Sequence, residues 1–237
     1  MSQLTVRSKK EAVYDWILER IVDSEFAPNT PLVIDEISRT LSVSQIPVRE
    51  AFQQLESEGF VIIRPYAGAV VADLKPSMVI EIFGFLEAAE MISGRMACTN
   101  MCEDNLRDIE AQLRKMDRLV DDVDSWSEEN KRFHRMICEC SDALLTEDIL
   151  ARMLLHWDRL RRHYLVGVFG KRIEKAHADH WKMFDAIKAR DPDRLSAIIR
   201  EHNRSALQDY ISYLQQIGHT IEQLSEESTA ALETSLI

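Results

Sequence analysis

Residues 41–51 read Leu41-Ser42-Val43-Ser44-Gln45-Ile46-Pro47-Val48-Arg49-Glu50-Ala51. A polar turn, Ser42-Val43-Ser44, separates two helical patterns. Before it, Ile34 to Leu41 forms a short helix. After it, Val48, Ala51, Phe52 and Leu55 recur at helical spacing and share one face. Ser44 is a good N-cap residue. Pro47 then falls at the third helical position, in the first turn, where its missing N–H has no intrahelical partner to lose. Gly59 is a natural left-handed stop. Working outward, Val13, Trp16, Ile17 and Ile21 form an earlier amphipathic stripe that ends before the breaker Pro28-Asn29-Thr30-Pro31. Downstream, Phe60 to Ile63 and Ala69 to Val71 flank the turn residues Arg64-Pro65-Tyr66-Ala67-Gly68, which predicts a β-hairpin.

Three helices, the last two joined by a tight turn, followed by a hairpin, outline a winged helix-turn-helix over residues 9–72. The second helix of such a motif presents its first residues to base edges in the major groove. With Val48, Phe52 and Leu55 turned inward, Gln45, Ile46 and Arg49 are left facing outward. Arg49 can fork onto guanine or phosphate, and Gln45 can pair with adenine. The hairpin tip would follow the backbone or minor groove, with Gly68 permitting close approach.

Composition limits the rest. The chain has 237 residues with only 7 Gly and 6 Pro, which favours helices over a turn-rich β fold. No apolar run is long enough to span a membrane, and the polar stretch Met1 to Lys10 lacks the apolar core of a secretory signal, so a cytoplasmic protein is expected. The formal net charge is −11, with −3 up to residue 75 and −8 beyond it. This excludes a polycation and little else, because Arg39, Arg49 and Arg64 can still gather on one surface. Cys98, Cys102, Cys138 and Cys140 form no C-x-x-C pair and read as reduced thiols.

Asp73 to Ser77 reads as a linker. Helices are expected near 77–98, 103–120, 126–140, 143–165, 171–189 and 193–217, with a polar tail over 219–237. Histidines lie on the apolar stripes of three of them. Asn130 and His134 sit one turn apart beside Phe133. His177 and His180 share a face with Ile173 and Phe184. His202 lies between Ile198 and Ala206. One buried imidazole needs a single hydrogen-bond partner, whereas several converging on one core suit a divalent metal. Separately satisfied core histidines are the plainer alternative.

The residues 41–51, with Gln54-Leu55-Glu56-Ser57-Glu58-Gly59-Phe60 and Arg64-Pro65-Tyr66-Ala67-Gly68, resemble the GntR family of bacterial transcription regulators. The resemblance implies DNA contacts at Arg39, Ser44 and Arg49, with Gly68 at the wing, and the outward-facing Gln45 joins them from its place beside Ser44. Asp35 stands where a basic residue is common, and Gln45 where Arg is common. The helical remainder, with Asn130-x3-His134, then Asp179-His180, then His202, resembles the FCD ligand-binding domain. That resemblance implies a mainly α chain: a winged head plus a six-helix antiparallel bundle over 78–218. It also implies a divalent metal, zinc or nickel, on Asn130, His134, His180 and His202, and a small organic acid as effector. Aligning Glu87 to Glu90 and Arg95 puts Leu86 where a carboxylate-clamping Arg is common. Arg95, Arg135, Arg152 and Arg159 are the substitutes at hand, and Trp126, Phe133, Trp157 and Tyr164 are candidate pocket walls.

The expected function is therefore a homodimeric regulator reading an inverted repeat in double-stranded DNA, with apolar residues Ile80, Phe83 and Phe85 leaving surface for a subunit contact. A metal-dependent hydrolase is the alternative. It lacks an evident general base and gives the winged head no role.

Overall fold

The computed structural model describes residues 8–64 and 68–221. The hairpin tip Pro65-Tyr66-Ala67, the stretch before Ser8 and the tail beyond Ile221 lie outside the described residues. The head comprises α1 (Lys9–Val22), β1 (Pro31–Leu32), α2 (Ile34–Leu41), α3 (Gln45–Ser57), β2 (Val61–Arg64) and β3 (Gly68–Val71). The bundle comprises α4 (Met78–Asn100), α5 (Glu103–Asp117), α6 (Val123–Glu139), α7 (Leu144–Tyr164), the short α8 (Val166–Phe169), a tight 3-10 turn at Gly170–Arg172, α9 (Ile173–Lys188) and α10 (Pro192–Gln216). The chain is mainly α, as its sequence implies.

Local chemistry explains these boundaries. Ser8 opens α1 with a reciprocal capping box: its Oγ accepts from the Glu11 N–H, and Glu11 accepts from the Ser8 N–H. Ser42 takes the left-handed conformation, φ 53°, which closes the turn between α2 and α3. Gly59 ends α3 at φ +85°, where a side chain would be strained. Asp122 accepts from the Ser125 N–H, so α6 starts three residues before the expected Trp126. The Gly167–Gly170 break is not open loop but carries α8, held by Phe169 packed at 6.0 Å from Trp157.

Strand β1 is a departure from the sequence expectation, which has only a breaker there. Pro31 pairs with Val70 and Leu32 with Ala69, giving a three-stranded sheet in the order β1-β3-β2. An edge strand tolerates a proline with no N–H to give, and buried Leu32 ties the strand to the head core. That core is built on Val13, Ile17, Val48, Phe52, Leu55 and Phe60.

Helix α7 joins the two halves. The His156 ring stacks on Phe60 at 4.2 Å, and its Nε2 donates to the Glu58 carbonyl at 2.8 Å. Arg159, 1% exposed, donates to the Ala72 carbonyl at 2.6 Å. Tyr164 donates to the Leu74 carbonyl at 2.8 Å. The short segment after the hairpin is thus pinned to α7 by its backbone carbonyls.

Candidate metal centre and nucleic-acid interface

The outward face of the helix-turn-helix is polar and pre-arranged. Gln45 and Arg49, one turn apart at the start of α3, are both exposed. Gln45 donates through Nε2 to Asp35 at 2.6 Å, and its Oε1 accepts from Arg49 at 3.2 Å. The unusual Asp35 therefore holds the amide of Gln45, which in turn steadies the Arg49 guanidinium. Arg39 is exposed on α2, with Nε donating to the Asp35 carbonyl at 3.2 Å. Ser44 stands at the N-cap of α3, although its side chain makes no capping bond, which leaves the hydroxyl available. Gly68 opens β3 at φ +85°, with open space where a Cβ would be. Ile46 is 67% exposed beside this surface.

In the bundle, His134 from α6, His180 from α9 and His202 from α10 meet, with one ligand atom from each inside 4.8 Å of the others. His180 is fully buried, and neither of its ring nitrogens has a hydrogen-bond partner among the described residues. Burial, with His202, His134 and His177 nearby, holds its imidazole well below the ordinary histidine range, so it is the neutral, lone-pair-bearing form. The Asn130 Oδ1 is likewise buried without a partner. Such orphaned groups are costly in an apolar core, and a divalent cation would take one His180 ring nitrogen and the Asn130 oxygen, so the residues present fit a metal.

One carboxylate supports these rings and a second stands near them. Glu90, buried on α4, accepts from His134 Nδ1 at 2.9 Å and from Asn203 Nδ2 at 2.8 Å. Burial pushes the Glu90 carboxyl up, but His134 and the other donors outweigh it and keep the group ionised. Asp179 Oδ2 lies 3.7 Å from His202 Nδ1. A carboxylate on the far nitrogen fixes the tautomer and orientation of a ligating histidine. His177 instead donates to Asp117 on α5 at 2.6 Å, away from the other three.

A cavity of about 50 Å³ opens against Asn130, His134 and His202. Trp126 and Trp157 line it, as does Leu86. The other two aromatic candidates do not. Phe133 packs on His180 at 4.7 Å, and Tyr164 turns to Leu74. None of Arg95, Arg135, Arg152 and Arg159 lines the cavity. Arg95 pairs with Asp193 at 2.7 Å, Arg135 and Arg152 are exposed, and Arg159 serves Ala72. The cationic group that does line it is Arg172, which sequence reasoning missed. Phe83, expected at a subunit surface, is buried against Trp157 at 5.1 Å.

Two family models cover most of the chain: bacterial regulatory proteins of the gntR family match residues 9–71, and the FCD domain matches residues 81–205. This chain is a GntR-family regulator with an FCD domain. It is 26% identical over 221 residues to the HTH-type transcriptional repressor RspR of Escherichia coli, covering 92% of this chain and 91% of that one. It is 24% identical to the probable D-xylose utilization operon transcriptional repressor of Paenarthrobacter nicotinovorans, covering 84% and 88% respectively. Its fold matches Escherichia coli McbR/YncC with a TM-score of 0.73 at 17% identity, covering 90% of this chain and 100% of the other. The GntR-family regulator is thus a DNA-binding transcription regulator and not an enzyme. No helix among its described residues is long and apolar enough to cross a membrane.

Proposed function

We propose that this GntR-family regulator is a cytoplasmic homodimer that reads an inverted repeat through Arg39, Ser44, Gln45, Arg49 and Gly68. Its bundle holds a divalent metal, zinc or nickel, on Asn130, His134, His180 and His202. A small carboxylate-containing effector adjacent to that site shifts the heads. The observation that carries this reading is the buried histidine cluster, with His180 and Asn130 Oδ1 unpartnered. Nitrogen-rich donors with one amide oxygen suit zinc or nickel over magnesium or calcium. When bound, the metal supplies open coordination positions for a carboxylate oxygen.

The chain's own residues do the rest. Glu90 orients His134, and Asp179 stands beside His202. Trp126 and Trp157 exclude water from the cavity. Helix α7 carries Trp157 on the cavity side and His156 and Arg159 on the head side, so movement of this helix is felt directly by the head. A stripe of exposed apolar residues on α4, Phe85, Ile92 and Met96, supports a subunit contact, since a two-fold dimer matches an inverted repeat.

The experiment is operator selection from random DNA, followed by titration of the selected duplex with metal-loaded and chelator-treated protein. The reading expects an inverted repeat and an effect of metal-plus-acid on affinity. It also expects His134→Ala to lose the metal. A direct-repeat or sequence-blind preference, or full metal content in His134→Ala, contradicts it.

A further inference from the structure

Arg172 closes the tight turn before α9 and is only 5% exposed. Its Nη1 donates to the Ser205 carbonyl at 3.1 Å and to the Asp209 carboxylate, which anchors the side chain on α10. Its Nη2 is buried and has no hydrogen-bond partner among the described residues. Arg172 is also the one Lys or Arg among the described residues lining the cavity that reaches Asn130, His134 and His202. A buried guanidinium with a free prong, aimed at a cavity, is a built anion site.

We propose that Arg172 is the anion-holding residue of this cavity, and that the cavity takes a small two-headed organic acid. One carboxylate meets Arg172 Nη2, and the second meets the histidine end. The proposal rests on the metal-and-acid reading above and adds to it the span and the second contact. The span follows from α10. Ser205 and Asp209, which hold Arg172, lie one to two turns beyond His202, about 5–10 Å along the helix axis. Phe83, Trp157 and Tyr210 gather at that level, with Trp157 and Tyr210 at 4.9 Å, so the space between the two ends is walled by aromatic rings. Such walls suit a short methylene spacer and disfavour a polyhydroxylated chain, whose hydroxyls would lack partners. Glu90 also lines the cavity and keeps its negative charge while accepting from His134 and Asn203, so an incoming acid needs the opposite charge of Arg172.

The test titrates malonate, succinate, glutarate, succinate monomethyl ester and butyrate into the full-length protein by calorimetry. Metal content is measured on the same samples by plasma mass spectrometry. The expected result is that at least one of the three diacids binds the metal-loaded protein and is preferred over the ester and butyrate. Arg172→Gln should retain wild-type metal content while losing diacid affinity about 10- to 100-fold. Arg172→Lys, which keeps the pair with Asp209 but loses the fork, should fall between. Equal diacid affinity in wild type and Arg172→Gln overturns the proposal, as does the absence of diacid binding or of any preference over the monoacids. Absence of metal from the wild type overturns the metal reading alone. In that case a weaker diacid affinity that still falls in Arg172→Gln keeps Arg172 as the anion site.

Discussion

The head and the bundle place their polar working groups in opposite surroundings. On the head, Asp35, Gln45 and Arg49 are exposed and linked in a hydrogen-bonded line that water can replace. In the bundle, His180, Asn130 and Arg172 present buried atoms that nothing among the described residues satisfies. The exposed line costs little to build and gives orientation. The buried groups cost much more unless a bound ion or acid satisfies them, as proposed above. The head thus presents a surface suited to reading DNA, and the proposed metal and acid would complete the core of the bundle. Between them stands α7, which buries His156 and Arg159 against the head.

The largest effect is expected at that join. Arg159→Ala removes a buried guanidinium and leaves the Ala72 carbonyl unpaired, which should cost about 2–4 kcal/mol in urea unfolding. An unchanged midpoint would mean the two halves are not coupled through α7. His156 adds a pH dependence with a definite sign. Burial holds its imidazole below the ordinary value, so the unfolded chain binds more protons as pH falls below that value. The stability contributed by His156 is therefore present at neutral pH and lost on acidification. His156→Gln should flatten that part of the stability curve. In the bundle, Glu90→Gln should weaken metal binding about 10- to 100-fold while keeping the cavity's shape, read by competition with a chromogenic chelator. In the head, Arg49→Ala should cost about 1–3 kcal/mol per half-site in operator binding, with the salt dependence showing whether the lost contact was a base or a phosphate. The smallest effect is expected for Asp35→Ala, which frees Gln45 from its 2.6 Å bond. Operator affinity should change by under about 1 kcal/mol, with any change in base preference confined to the position read by Gln45. A broad loss of affinity would show that Asp35 supports the fold instead.

The two regions were also unequally legible. The head reads almost directly from local signals: the polar turn at Ser42 to Ser44, the tolerated Pro47, and the stop at Gly59. Its missing strand, β1, depends on a long-range pairing of Pro31 and Leu32 with β3, which no local pattern encodes. In the bundle, helical periodicity finds His134, His180 and His202 because they lie on apolar stripes. The same periodicity could have found Glu90, a carboxylate on the stripe that carries Phe83, Leu86 and Ala97, where a charge needs a buried partner. Arg172 had no such signal. It sits in an irregular turn, and only the folding back of α10 shows that its guanidinium reaches Ser205 and Asp209 and not solvent. The four arginines favoured from sequence were all on long helices, and each is exposed or serves another partner.

The central claim is that the buried histidine cluster exists to hold a metal. The direct measurement is the metal content of purified, dialysed protein, wild type beside His180→Ala, with circular dichroism confirming that both are folded. The account predicts one zinc or nickel ion per wild-type chain and none in the variant. No metal taken up by the wild type, or an undiminished content in His180→Ala, would contradict it.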